Sequence, residues 1–322
     1  MVRFIHNKHF IVTVLSFVIL FAFLVRGLAN GFKIVNWISF FTVSFAIIVI
    51  AEIVKYLLRS TKYADVAKKV TLYMQSMAFL SAYSAFGVIV SYCVAWGNTP
   101  VSPNIFVYTD RLFFDYSWQT LIFYLSQHSF FVAVLNFFYD SIAVLPFALI
   151  GFSIADDNAV NIFYFFEFMF VTSAVTMIIF WLIPVVGLHT NYNFVINNIS
   201  VPSLQAAFDK AGVFTFGMHS IDGFNLIKNK IGDYYMTGIV SFPSYHVVLA
   251  AGLMYFAKKF KPLIRYAFYI LGVGMIVSAV VIGGHYLIDI AAGLIITNLT
   301  ILLIFDQRTQ MHTVKNLEVL RG

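Results

Sequence analysis

The sequence predicts an all-α fold, a polytopic integral membrane bundle of about eight transmembrane helices. Three observations predict it. The 322-residue chain is 61% hydrophobic and only 11% charged, where a soluble domain is about half apolar and about a quarter charged. Its mean hydropathy is +0.88. Apolar runs of roughly 20 residues recur along it, each the length at which a helix crosses the hydrocarbon core.

The first run, near 10–29, follows the basic start "MVRFIHNKHF". That layout resembles a signal peptide, but span length and the lack of a small-x-small cleavage site favour a retained helix. Runs near 34–58 and 70–96 complete an N-terminal group, residues 1–97, to which no role is assigned. Residues 98–322 carry five more, near 128–152, 160–185, 240–259, 263–283 and 286–305, the last three joined by short turns. Polar segments at about 97–127 and 186–239 interrupt the series.

Charge sets the orientation. With the N-terminus cytoplasmic, Arg26, Lys33, Arg111, Lys210, Lys228 and Lys230 lie outside, which leaves 14 of the 20 lysines and arginines inside. Eight spans return the C-terminus to the cytoplasm, and both long segments then face outward. Short loops and short tails suit a bacterial inner membrane, although a Golgi-like compartment satisfies the same charge rule. Cys93 is the only cysteine and gives no clue to redox compartment. No nucleic-acid partner is expected.

Two stretches carry polar groups where a helix meets the outer face. In "GIVSFPSYHVVLAAG", residues 238–252, Pro243 suits the first turn of a helix, and Ser241 or Ser244 can cap its start. The free N–H groups and positive end of such a helix attract an anion, with His246 at the same level. In "VVIGGHYLIDIAAG", residues 280–293, His285 and Asp289 are spaced i, i+4, which on a helix places them on one face. The carboxylate then fixes the imidazole tautomer and frees the other nitrogen as nucleophile or base. One helical hairpin brings His246 to the His285/Asp289 pair.

"FPSYH" followed by "GGHYLIDIAAG" resembles the type 2 phosphatidic acid phosphatase superfamily, and most closely its inositol phosphorylceramide synthase-like branch. Pro243, Ser244 and His246 match the family's P-S-G-H motif, with Tyr245 in place of glycine. Ser278, His285 and Asp289 match S-R-x5-H-x3-D, with Ala279 in place of arginine, and K-x6-R-P has no match. The resemblance covers 238–293. It implies that 98–322 form a phosphatase or phosphotransferase-like core in which His285 attacks phosphorus, Asp289 orients it and His246 acts as acid and base. It implies no metal and no cofactor. Expected substrates are a phospholipid or lipid phosphate, with ceramide, diacylglycerol or another hydroxyl as acceptor. Water as acceptor would make a lipid phosphate phosphatase. Ser244, Tyr245, Gly284, Arg111 and Lys210 are substrate-binding candidates, with His219, Lys228 and Lys230 as further cationic ones.

Blander readings stand beside these. Two histidines and a carboxylate can form a facial metal triad, and Asp140 and Glu167 can be coupling groups of a transporter. Asp140 reads equally as substrate contact or internal hydrogen bond, Glu167 as structural. His6, His9, His189, His219 and His312 are expected to be solvated. Gly283 and Gly284 serve either close helix approach or headgroup access.

Overall fold

The structure is a computed structural model that describes residues 2–32, 37–96, 104–114, 127–185 and 239–306, with a few further positions between these segments. Every predicted apolar run folds as helix. They are α1 (Val2–Ala29), α2 (Trp37–Leu58) and α3 (Ala64–Ala95), followed after the short α4 (Asn104–Phe114) by α5 (Ser129–Asp140), α6 (Leu145–Ala155) and α7 (Ala159–Leu182). The chain closes with α8 (Tyr245–Ala257), α9 (Pro262–Val281) and α10 (Leu287–Thr300), the last extended by a π-helical turn over Ile301–Asp306. Two-residue strands pair antiparallel at Val195–Ile196 and Ile199–Ser200.

Among the described residues, six helices are long and apolar enough to cross a membrane. A bent pair makes a seventh crossing if it spans as one unit. The run read as one helix over 128–152 is α5 and α6, bent by 53°. Pro146 in the first turn of α6 is the cause, because it lacks the N–H that a continuous helix would need there. The run near 240–259 contains only the 13 residues of α8, about 20 Å of helix against a core of about 30 Å. Residues 239–244 reach it as non-helical chain that bends at Phe242 and Pro243, with Ile239 and Ser244 almost wholly buried. Non-helical backbone survives at membrane depth where protein covers it.

Helices α7 and α8 lie at the centre. α7 packs on α1, α3, α6, α8 and α10, and α8 packs on α6, α7, α9 and α10. Phe165, Phe168, Phe180 and Leu253 are fully buried there. The N-terminal helices join the same core through Leu20, Leu80 and Tyr83, and the Tyr83 hydroxyl donates to the Met169 carbonyl at 3.1 Å.

The structure also corrects the expectation for His9. His9 is buried rather than solvated, because its Nδ1 is hydrogen-bonded to Glu167 of α7. Glu167 is thereby buried against a histidine of α1. Asp140 is exposed and accepts from Asn136 Nδ2 at 2.7 Å, within its own helix. Of the other histidines read as solvated, His189, His219 and His312 lie outside the described residues.

Removing one member of a buried polar pair strands the other, at a cost of about 3–5 kcal/mol. We expect His9→Ala to lose stability of that order in detergent unfolding, and His9→Leu/Glu167→Met to recover most of it. A loss of less than about 1 kcal/mol in the single variant would contradict the pairing.

Candidate active site

His246, His285 and Asp289 meet at one end of the bundle. The predicted i, i+4 geometry is not how two of them meet. α9 ends at Val281, and α10 begins only at Leu287, with Tyr286 as its N-cap residue. His285 therefore lies outside the helix, on the turn before it, and Asp289 is the third helical residue. Asp289 Oδ2 reaches back over the turn, accepting from the Tyr286 N–H at 3.0 Å and lying 3.3 Å from His285 Nδ1. A capping turn replaces the shared helix face, with the same partners.

Ser241 closes the arrangement. His285 Nδ1 is 3.0 Å from the Ser241 carbonyl oxygen, and the Ser241 hydroxyl donates to Asp289 Oδ2 at 3.3 Å. Both neighbours of Nδ1 are acceptors, so Nδ1 carries a proton, and in the neutral ring Nε2 keeps its lone pair. His285 and Asp289 are 4% and 0% exposed.

The opening stretch of α8 also differs from its sequence reading. Pro243 precedes the helix instead of sitting in its first turn, and Ser241 does not cap it. Ser244 occupies the N-cap position, but its side chain makes no capping bond. Its hydroxyl is buried without a hydrogen-bond partner among the described residues, as is Asp289 Oδ1. The Ser244 N–H donates to the Asp289 carbonyl at 3.2 Å, which ties the 241–244 segment to α10. His246 follows in the first turn of α8. Its ring centroid is 6.1 Å from that of His285.

Two glycines shape the turn. Gly284 has φ +63°, a left-handed conformation that side chains other than glycine adopt at a cost. A Cβ on Gly283 would come within 2.6 Å of the Ala279 carbonyl, 2.9 Å of the Tyr139 ring and 3.0 Å of His285. Both glycines thus serve the local backbone around His285.

Of the substrate-binding candidates, Ser244 and Gly284 lie beside the triad. Tyr245 turns away, its hydroxyl accepting from Ser173 of α7 at 2.8 Å. Arg111 is on α4, which packs against α10. Lys210, Lys228 and Lys230, like His219, lie outside the described residues. Ala279, which replaces the motif arginine, is fully buried in an apolar cluster with Val132, Tyr139 and Val247. Among the described residues, no group of three His, Cys, Asp or Glu side chains is gathered in a way that could hold a metal ion.

Sequence reading missed three neighbours. Tyr139 stacks on the His246 ring, with centroids 4.3 Å apart. Asp110 of α4 accepts from the Leu287 and Ile288 N–H groups at 2.9 and 3.0 Å. Ser241 was noticed only as a possible cap. No short-range pattern marks the first two, which lie more than 100 residues from their partners.

A family model described as the PAP2 superfamily matches residues 103–303, well over half of the chain. No curated protein and no solved structure matches. The chain belongs to the PAP2 superfamily. The matched segment runs from the start of α4 into the last helix and contains every residue of the site.

Gly284→Ala should cost about 1–2 kcal/mol, the penalty of a left-handed backbone for an alanine, measured by thermal unfolding. An unchanged melting temperature would contradict the geometry of the turn.

Proposed function

We propose, on the premise of this superfamily membership, that the chain is a membrane enzyme that moves a phosphoryl or phospho-headgroup to or from a lipid. The reaction runs through a phosphohistidine on His285, on the extracytoplasmic side. The observation that carries this reading is the setting of His285 Nδ1, held by the Ser241 carbonyl and the Asp289 carboxylate. An imidazole fixed in this way presents Nε2 as an oriented nucleophile.

In the first step Nε2 attacks phosphorus. An N–P bond forms while the bond to the leaving oxygen breaks, and His246 supplies that oxygen with a proton. The charge of Asp289 offsets the positive ring that results. In the second step the acceptor oxygen attacks phosphorus, His246 takes its proton and the N–P bond breaks. The two ring centroids lie 6.1 Å apart, so both imidazoles face one site. Ser244 supports the reading with a buried, unpartnered hydroxyl. So does the first turn of α8, whose N–H groups have no intrahelical acceptors and favour an anion. Arg111 and Lys210 remain candidate cations for its charge.

The F-P-S-x-H form favours a hydroxyl-bearing lipid as acceptor, such as ceramide or diacylglycerol, as in inositol phosphorylceramide synthesis. Membership of the superfamily equally supports hydrolysis by water, a lipid phosphate phosphatase. Purified protein in nanodiscs, given a panel of phospholipids and lipid phosphates with or without ceramide or diacylglycerol, separates the two. A new phosphorylated lipid identifies a transferase, and free phosphate a phosphatase. Neither product from well-folded protein would overturn the reading.

His285→Ala, His246→Ala and Asp289→Ala should each lower turnover roughly 100-fold or more. Asp289→Asn should remain folded but be much slower, because the tautomer preference of His285 is lost with the carboxylate. Near-normal turnover in His285→Ala would end the mechanism.

A further inference from the structure

Helix α4 has 11 residues, about 17 Å of length, too short to cross a membrane. Its two sides differ. Phe106, Val107 and Asp110 are 6%, 3% and 1% exposed, whereas Ile105, Tyr108 and Leu112 are 59–76% exposed. The second set follows i, i+3, i+7 spacing and forms one apolar stripe, suited to the boundary between headgroups and acyl chains. The buried side lies on the active site. Phe106 meets the Phe242 ring at 5.0 Å and the Tyr286 ring at 5.6 Å, and so touches both halves of the site.

Asp110 does more than fill space. Its two carboxylate oxygens accept one hydrogen bond each from Ile288 and Leu287, the first two residues of α10. Those N–H groups lack intrahelical acceptors and carry the positive end of the helix dipole. Burial pushes the Asp110 carboxyl up to about 6, opposed by the two N–H donors and reinforced by the nearby charge of Asp289. Both oxygens accept from backbone N–H groups, the pattern that suits an ionised carboxylate.

The turn held by Asp110 is the one that sets the catalytic pair. Asp289 is the next residue after Ile288, and its Oδ2 must reach back to Tyr286 N–H and His285 Nδ1. The Nδ1 contact, at 3.3 Å, is already at the long end for a hydrogen bond, so it tolerates little displacement. The carboxylate also occupies the anion-attracting end of α10, which leaves the start of α8 for a substrate phosphate.

We propose that Asp110 is a positioning residue that locks the first turn of α10, and through it the His285–Asp289 pair, making the lipid-facing helix α4 part of the active site. This rests on the proposed role of His285. The test needs no substrate. Nitrogen-15 NMR of histidine-labelled protein in nanodiscs reports the tautomer of each imidazole, and His285→Asn assigns the His285 signal among eight histidines. Wild type should show His285 protonated at Nδ1 alone. Asp110→Ala should show a mixture of tautomers, and Asp110→Asn, which keeps one acceptor oxygen, a smaller change. The signal of His9, bonded to Glu167 away from the site, should stay unchanged in both variants as a control on the fold. If Asp110→Ala misfolds, Asp110→Asn alone carries the comparison. A wild-type tautomer retained in the variants would overturn the inference and leave the function standing. A His285 not protonated at Nδ1 in wild type would overturn both.

Discussion

The site depends on one small contact set, the Nδ1 of His285 held between a backbone carbonyl and a carboxylate. Ser241 supplies the carbonyl and Asp289 the carboxylate, and the Ser241 hydroxyl joins the two. For Ser241 to offer its carbonyl, the chain there must leave the helix, which frees backbone groups that a helix would satisfy internally. The bundle covers that segment with protein and ties it down through the bond from Ser244 N–H to the Asp289 carbonyl. The short α8 is a consequence, because residues 239–244 are given to the site and not to the helix.

Two further constraints follow from the same turn. A left-handed backbone at Gly284 and a missing Cβ at Gly283 let the chain reverse between α9 and α10 with His285 facing inward. Around this turn the neighbours come from distant parts of the sequence: Tyr139 against His246, and Phe106 and Asp110 against Tyr286 and the start of α10. The N-terminal helices stand outside the segment shared with the superfamily, yet α1 and α3 pack on α7 in the common core. The His9–Glu167 bond fastens α1 to α7, whose Ser173 in turn holds Tyr245 next to His246.

Much of this was legible in the sequence because its signals are local. Apolar runs marked the long helices, since lipid imposes length and polarity on a crossing, but α1 and α3 begin well before their runs and the short α4 had none. His246, His285 and Asp289 were legible because their chemistry and spacing coincide within two short stretches. The break before Pro146 was hidden, as proline is tolerated in membrane helices and the run around it stays apolar. The i, i+4 reading of His285 and Asp289 named the right partners with the wrong backbone, because a capping turn and a helix face share that spacing. Asp110 and Tyr139 were invisible for a different reason: their roles exist only when α4 and α5 close on a hairpin more than 100 residues away. The buried setting of His9 likewise needs its partner on α7.

The most direct test of the central claim is the chemical form of the trapped intermediate. Enzyme quenched during turnover and analysed by phosphorus-31 NMR with peptide mass spectrometry reports both the residue and the ring nitrogen that hold phosphate. Nδ1 of His285 is occupied by Ser241 and Asp289, so the phosphate is expected on Nε2 of His285. Phosphate on Nδ1, on His246 or on any other residue would contradict the geometry from which the mechanism is built.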